Sequence, residues 1–231
     1  MMKLSIIIPC FNEERTIKEI IEKITSLNDI EKEIIVIDDN SSDNSKSILQ
    51  NDLKDKIDQL ILNDQNYGKG YSIRQGINKA LGDIILIQDA DLEYDPIDYY
   101  KLLNPIKKGL ADVVYGSRFL GGEERRVLYF WHTIGNKFLT FLSNMLTNLN
   151  LTDVEVGYKV FKSEVIKNIT LKENRFGFEP EITAKIAKKN LKIYEVSINY
   201  FGRTYSEGKK ITWKDGISAL KCILVYNLFK N

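Results

Sequence analysis

Four short apolar runs, separated by stretches of helical periodicity, limit this chain to few architectures. The runs are residues 4–9, 33–39, 57–62 and 83–88, with cores SIII, IIVI, IDQLIL and IILI. Strands buried on both faces read this way, as near-continuous Ile/Val segments without polar alternation. Between them, residues 14–27 place Ile17, Ile20, Ile21 and Ile24 at i, i+3, i+4 and i+7. Residues 69–81 carry Ile73, Ile77 and Ala80, and Asp43 opens a short polar helix with Ile48 and Leu49 on one side. Strand and helix in alternation predict an α/β fold: a mostly parallel, Rossmann-like central sheet with right-handed crossovers, flanked by helices. A fifth run, 112–116, continues the pattern, and the sequence turns less regular beyond Gly121. No internal repeat or linker divides the 231 residues, so one domain over 1–231 is expected.

Composition excludes several function classes. Lys plus Arg is 33 and Asp plus Glu is 32, so no electrostatic argument points to nucleic acid. Two cysteines, Cys10 and Cys222, make no disulfide framework, and with one histidine they make no ordinary zinc site. A reducing cytoplasm is the default compartment. No segment approaches the ~20 apolar residues of a membrane span. The longest candidate, 128–151, is interrupted by Asn136, Lys137, Asn144 and Asn148. Residues 1–14 lack the long apolar stretch of a signal peptide. No transmembrane domain is expected, although contact with a membrane surface stays open.

In open α/β sheets, ligands bind beyond the carboxyl ends of the strands. There the sequence places Pro9-Cys10-Phe11-Asn12-Glu13, Asp38-Asp39, Asn66-Tyr67-Gly68-Lys69-Gly70, Gln88-Asp89-Ala90-Asp91-Leu92-Glu93 and Gly116-Ser117-Arg118. Convergence of polar groups from five strand ends is more informative than any one motif. Residues 88–98 hold Asp89, Asp91, Glu93, Asp95 and Asp98 and no base. Carboxylates so crowded repel one another unless a cation neutralises them, and hard oxygen ligands suit Mg²⁺ or Mn²⁺. The plainer alternative is a solvated turn leading to a helix at Asp95-Pro96. Asp39 is placed to accept from a nucleobase or ribose hydroxyl, and Asp43 to cap the helix after it. Gly68-Lys69-Gly70 opens a helix toward a phosphate or base, but matches neither the P-loop nor the dinucleotide fingerprint.

The runs SIIIPCFNEE, IIVIDDNSSD, NYGKGYSIRQG and LIQDADLEYDP resemble the GT-A glycosyltransferases of family 2. Later runs, GSRF, TDVEVGYKVF, FGFEPE and YFGRTYSEGKK, narrow the resemblance to polyprenyl-phosphate glycosyltransferases such as dolichyl-phosphate mannose synthase. The resemblance spans about residues 4–219. It implies an inverting, metal-dependent hexosyltransferase on a GT-A fold, using GDP-mannose or UDP-glucose and a polyprenyl-phosphate (dolichyl or undecaprenyl) acceptor. Residues 1–120 would then form the nucleotide-sugar half and 121–231 the acceptor half. By the same resemblance Pro9, Phe11, Glu13, Ile37, Asp39, Lys69 and Ala90 would line the donor, and Asp89, Asp91 and Glu93 would hold the Mg²⁺ or Mn²⁺. Arg118, with Arg125 or Arg126, would meet the phosphates of donor and acceptor, and Arg203 and Lys209 would do the same from a C-terminal loop that closes over the donor. The residues expected to act in catalysis are Asp91, Arg118, Asp153 and Arg203.

Leaving-group stabilisation, in-line positioning and a deprotonated nucleophile are what such a transfer needs. A hydroxyl acceptor requires a general base, for which Asp153 is the candidate beside a purely loop-fixing role. A phosphate monoester, with a second pKa of about 6, is largely ionised already, so Arg clamps serve it better. Ile134, Phe138, Phe141, Leu142, Met145, Leu146 and Leu149 form a helical stripe after Tyr129, Phe130 and Trp131, facing either a core or a membrane interface. Residues 200–231 carry six basic and two acidic side chains, which suit anionic lipid. The expectation is a peripheral protein at the cytoplasmic face of a membrane, with an amphipathic surface or a partner protein as anchor. Rival readings are a saccharide or other hydroxyl acceptor, a phosphoacceptor regulatory domain, and a catalytically silent nucleotide-sugar-binding partner. Glu179 and Glu181 read chiefly as helix-start residues, beside a functional reading for Glu181 that the resemblance implies, since the family carries a similar motif near the active site.

Overall fold

Residues 2–123, 125–127, 129–208, 210 and 213–229 are described by a computed structural model. Seven strands form one sheet: β1 (Leu4–Cys10), β2 (Lys32–Asp38), β3 (Gln59–Leu62), β4 (Ile84–Ile87), β5 (Val113–Ser117), β6 (Lys159–Lys162) and β7 (Ile193–Ser197). Their spatial order is β3-β2-β1-β4-β6-β5-β7. All run one way except β6, which is antiparallel to β4 on one side and β5 on the other. The strands foreseen from the Ile/Val runs are all present; β1, β2, β4 and β5 lie in the buried core, whereas β3, foreseen as fully buried, is an edge strand whose Gln59, Leu60 and Ile61 are half-buried and whose Leu62 is exposed.

Helices cover the sheet as the periodicity predicts. In α1 (Ile17–Thr25), Ile17, Ile20, Ile21 and Ile24 are all fully buried. The polar segment becomes a single helical turn, α2 (Ser45–Ser47), continued by a π-helical turn over Ile48–Asp52. Asp43 takes the Ser45 amide at 2.9 Å and the Glu14 amide at 3.1 Å, one position outside the expected cap. In α3 (Lys69–Lys79), Gly76 faces β1 so closely that a Cβ there would stand 2.4 Å from Ile7 Cγ2. That contact draws the helix, and the Gly68–Gly70 turn before it, tight against the sheet. Asp95 caps the next turn through the Ile97 amide, with Pro96 after it, and α4 (Tyr99–Lys107) follows.

The second half is more regular than its sequence suggests. It supplies α5 (Phe130–Thr147), β6, α6 (Ser163–Lys167), α7 (Phe178–Ala187), β7 and α8 (Trp213–Leu224). Helices α5 and α8 share a small core of Leu139, Ala219 and Ile223, with Leu142, Leu146 and Leu220 against it. Of the rest of the foreseen stripe, Leu149 packs against the main core, while Ile134, Phe138, Phe141 and Met145 are exposed, as are Phe130 and Trp131. Among the described residues, no helix is long and apolar enough to cross a membrane.

Candidate active site

The carboxyl ends of β1, β2 and β4 carry the first acids. After β1, Phe11 is half-buried and Glu13 is nearly closed off. Pro9 pairs with Ile37 across β1 and β2, and Asp39 follows β2 with its amide on the Cys10 carbonyl at 2.8 Å. Asp39 is buried, and protein groups surround its carboxylate: Asn63 Nδ2 at 2.7 Å and the amides of Tyr67 and Gly68 at 3.0 and 2.7 Å. Asp39 therefore fixes the turn that opens α3. Gly68 itself has φ of 101°, and a Cβ on it would meet the Asn174 carbonyl at 2.5 Å, so a side chain fits there neither in backbone nor in space. Glu181 holds the covering segment: it is fully buried and accepts from the amides of Lys172 and Glu173 and from Lys185.

Asp89, Ala90, Asp91 and Glu93 follow β4. Leu92 has φ of 61°, a left-handed conformation that costs a leucine about 1–2 kcal/mol, and the turn is tied by the Glu93 amide on Asp91 at 3.1 Å. Each acid meets a cation from elsewhere. Lys69, the first residue of α3, lies 2.8 Å from Asp89 and 3.0 Å from Glu179. Burial alone would lower the Lys69 ammonium, but Asp89 and then Glu179 more than offset it and hold it above its ordinary value. Arg203 reaches Asp91 at 3.0 Å and Glu13 at 3.1 Å, and its amide donates to Glu93 at 2.9 Å. Even so, burial, followed by the charges of Asp89 and Glu93, pushes the Asp91 carboxyl up to about 7.

This donor set fits a hard divalent cation. Three carboxylates within one turn offer only oxygen, and their mutual repulsion exceeds what Arg203 relieves. Among the described residues, no three acidic, His or Cys side chains form a finished cage.

Asp153 and Arg118 meet at the end of β5. Asp153 is fully buried and accepts from Arg118 Nε at 2.6 Å, Nη2 at 2.7 Å and the amide at 3.1 Å. The guanidinium also lies 5.3 Å from the Tyr200 ring centre. Arg126 pairs with Glu207 at 2.7 Å, whereas Arg125 is exposed, with a long hydrogen bond to the Arg118 carbonyl and its guanidinium 6.0 Å from the Phe119 ring centre. Lys209 lies outside the described residues. Its neighbour Lys210, not singled out by sequence, bonds Glu13 at 2.7 Å and the carbonyls of Phe11 and Asn12. The basic pair in SEGKK was the available signal.

Sequence reasoning also missed a set of buried charges beneath Asp89. Because β6 is reversed, its first residue, Lys159, stands opposite Ile87 and the loop entering β6 passes beside Asp89. Gly157 touches it so closely that a Cβ would lie 2.2 Å from Asp89 Oδ2. Lys159 is fully buried, its Nζ on the carbonyls of Val154 and Val156, and burial draws it down to about 8 against the charges of Glu179 and Glu155. Glu155 is half-buried, and burial, then the charge of Glu179, pushes its carboxyl up to about 8. The alternation of acid and apolar residues in TDVEVG was the only hint in the sequence.

The comparisons agree with this geometry. The pattern of Glycosyl transferase family 2 matches residues 5–170. An uncharacterized Methanocaldococcus jannaschii protein is 30% identical over 221 residues, covering 89% of this chain and 93% of that one. Dolichol-phosphate mannosyltransferase of Pyrococcus furiosus is 29% identical over 90% of this chain and 59% of its own length. Undecaprenyl-phosphate 4-deoxy-4-formamido-L-arabinose transferase of Proteus mirabilis is 27% identical, over 90% and 62%. The chain thus spans about three fifths of these two named transferases. Among solved structures, glucosyl-3-phosphoglycerate synthase from Mycobacterium tuberculosis, in complex with Mn²⁺, UDP and phosphoglyceric acid, superposes with a TM-score of 0.78 at 17% identity, over 100% of this chain and 80% of that one. The same protein has been crystallised with Mg²⁺ and UDP. Sheet order, the acidic edge beyond β1, β2 and β4, and a family match over well more than half its residues together place the chain in glycosyl transferase family 2, on a GT-A fold.

Proposed function

We propose that this glycosyltransferase moves a hexose from a nucleotide-diphosphate sugar, GDP-mannose or UDP-glucose, to a polyprenyl phosphate at a membrane surface. The relatives named for dolichol phosphate and undecaprenyl phosphate support the acceptor class. The observation that carries it is the Arg118–Asp153 pair. With both carboxylate oxygens on Arg118, Asp153 is not available as a base for a hydroxyl acceptor. An ionised phosphate needs none, and Arg118 and Arg125 supply charge where it would lie. Asp153 is then a positioning residue for Arg118.

On the donor side, Phe11, Pro9, Ile37 and the turn fixed by Asp39 form the wall for the nucleoside. Asp89, Asp91 and Glu93 would hold Mg²⁺ or Mn²⁺, whose role is to act as a Lewis acid on the leaving diphosphate. Arg203 now neutralises Asp91 and Glu93 and shares Glu13 with Lys210. On donor binding they turn to the diphosphate, adding fixed positive charge where negative charge develops. The exposed ring of Trp131 and the outward face of α5, packed beside α8 with its Lys214 and Lys221, provide the membrane contact, in the manner of an interfacial helix. The protein then acts peripherally at the cytoplasmic face, alone or with an anchoring partner.

The test is transfer from each donor, with Mn²⁺, to a short polyprenyl phosphate and to the corresponding polyprenol, read by mass spectrometry. Glycosylated phosphate product from one donor, with none from the alcohol, is the expected result. Product from the alcohol alone would refute the acceptor assignment.

A further inference from the structure

One side chain joins the acidic turn to the acceptor arginine. Tyr200, just beyond β7, is half-buried, and its hydroxyl donates to Glu93 Oε2 at 3.1 Å. The Arg118 guanidinium lies over the same ring, 5.3 Å from its centre, and Tyr94 packs against it with ring centres 5.6 Å apart. The Tyr200 carbonyl takes the Arg126 amide at 2.9 Å, which fixes the backbone there. Burial, then the charge of Glu93, raise the phenol above its ordinary value, so the hydroxyl keeps a proton to give. Tyr200 thus touches both a residue expected to hold the cation and one expected to hold the acceptor phosphate.

The two oxygens of Glu93 are held unequally. Oε1 takes the Arg203 amide at 2.9 Å, and the Glu93 carbonyl takes the Phe201 amide at 2.9 Å, so backbone pins that side of the residue. Oε2 is held by the Tyr200 hydroxyl, which gives way by rotation about a single bond. A cation drawn to Glu93 therefore displaces the hydroxyl rather than the amide. The displaced O–H needs another acceptor, because a donor left unpaired away from water costs free energy. Arg118 cannot supply one, since a guanidinium is all donor and offers no lone pair. A phosphate seated on Arg118 can, and a hydrogen bond to an anionic oxygen is stronger than one between neutral groups.

We propose that Tyr200 couples the two substrate sites: its hydroxyl rests on Glu93 while the acidic turn is empty and passes to the acceptor phosphate once that turn holds cation and donor diphosphate. This rests on the donor-site and acceptor-site readings above and adds the order in which the sites fill. Without donor, the phosphate meets Arg118 and a phenol whose proton is already committed. With donor, the same phosphate gains a hydrogen bond, so the acceptor is held tightly only beside a loaded donor. The coupling is reciprocal, each ligand changing the other's affinity by the same factor. The backbone need not move, because the Arg126, Phe201 and Arg203 amides keep the segment pinned in both states.

Calorimetry reads the coupling without turnover. Geranyl phosphate, a short isoprenyl monophosphate, is titrated into the full chain and into Tyr200→Phe. Each protein is used alone and then saturated with Mn²⁺ and whichever of GDP or UDP the wild type binds. Phenylalanine keeps the ring under Arg118 and removes only the hydroxyl. Without Mn²⁺ and nucleoside diphosphate, the two proteins are expected to bind geranyl phosphate alike. With them, the wild type binds it about tenfold more tightly than the variant, the worth of one hydrogen bond to a charged group. Mn²⁺ with the nucleoside diphosphate binds the variant at least as tightly as the wild type, since no hydroxyl competes for Glu93. An equal loss of geranyl phosphate affinity in both states overturns the coupling, by making the hydroxyl a fixed part of the phosphate site. Equal affinities of the two proteins in both states overturn it as well. Should Tyr200→Phe fail to fold, the wild type decides: geranyl phosphate that binds no more tightly with Mn²⁺ and nucleoside diphosphate than without them overturns the coupling. A wild type that binds neither nucleoside diphosphate overturns the donor site instead, and one that binds geranyl phosphate in neither state overturns the acceptor reading.

Discussion

Asp153→Asn distinguishes a carboxylate that positions Arg118 from one that takes a proton. The substitution preserves size but deletes the charge that three Arg118 contacts of 2.6, 2.7 and 3.1 Å converge on. Arg118, its side chain 10% exposed, is left with a buried guanidinium and no counter-charge. Breaking a buried pair from one side costs about 3–5 kcal/mol. With a denaturant slope of about 2 kcal/mol per M, the urea midpoint falls by roughly 1.5–2.5 M. Replacing both partners, with Arg118→Met and Asp153→Leu together, restores most of that loss, because an apolar pair of similar volume is neutral or stabilising. Urea unfolding of the wild type, the two singles and the double, followed by circular dichroism, gives the coupling directly. A general base predicts another pattern: stability within about 0.5 kcal/mol of the wild type, with turnover lost. That pattern in Asp153→Asn would refute the positioning role.

Four further outcomes follow from the same geometry. Gly157→Ala drives a Cβ to 2.2 Å from Asp89 Oδ2 and 2.9 Å from Tyr94, which costs about 1–3 kcal/mol of stability and weakens Mn²⁺ binding, both readable by thermal unfolding with and without the ion. Arg203→Met removes the cation shared by Glu13 and Asp91, so Mn²⁺ alone binds about tenfold more tightly by calorimetry, ~1.4 kcal/mol, while donor affinity falls. The Glu155 carboxyl, pushed from 4.5 to about 8, contributes stability fully below pH 4.5 and loses it as pH rises through about 8; urea midpoints between pH 5 and 8.5 therefore decline, and less steeply in Glu155→Gln. Trp131→Ser, Phe138→Ser and Phe141→Ser, all at exposed positions, change stability by no more than about 0.5 kcal/mol each yet abolish sedimentation with anionic vesicles.

The first half of the fold was readable because β1, β2 and β4 are buried on both faces and the helices on one, and both patterns are visible in Ile and Val alone; β3, at the sheet edge, is only half-buried. Ile6 to Ile8 and Ile34 to Ile37 are almost wholly buried, as the runs implied. Strand β6 escaped because it reads KVFK, and a lysine at its start argues against burial until Val154 and Val156 are seen to offer carbonyls to it. Strand β7 reads IYEVS and lies partly open, so its alternation is faint. At the site, Asp89, Asp91 and Glu93 stood out because acids cluster in sequence there. Glu155, Glu179 and Lys159 did not, because their proximity is created by the reversal of one strand. The inward turn of Lys210 is likewise a property of the loop's course.

That reversed strand also governs when the site can exist. A chain ending at Ser117 holds the nucleotide wall and the acidic turn, yet one side of β4 faces nothing, and its four residues, Ile84 to Ile87, are all apolar and buried only in the finished protein. Such an open, flat, apolar edge invites pairing with a second chain. Only when Lys159–Lys162 has emerged and slotted between β4 and β5 is the edge closed, and the same step brings Gly157 and Glu155 under Asp89. During synthesis, then, protection from aggregation and assembly of the donor floor arrive together, late, with one strand and the loop that enters it.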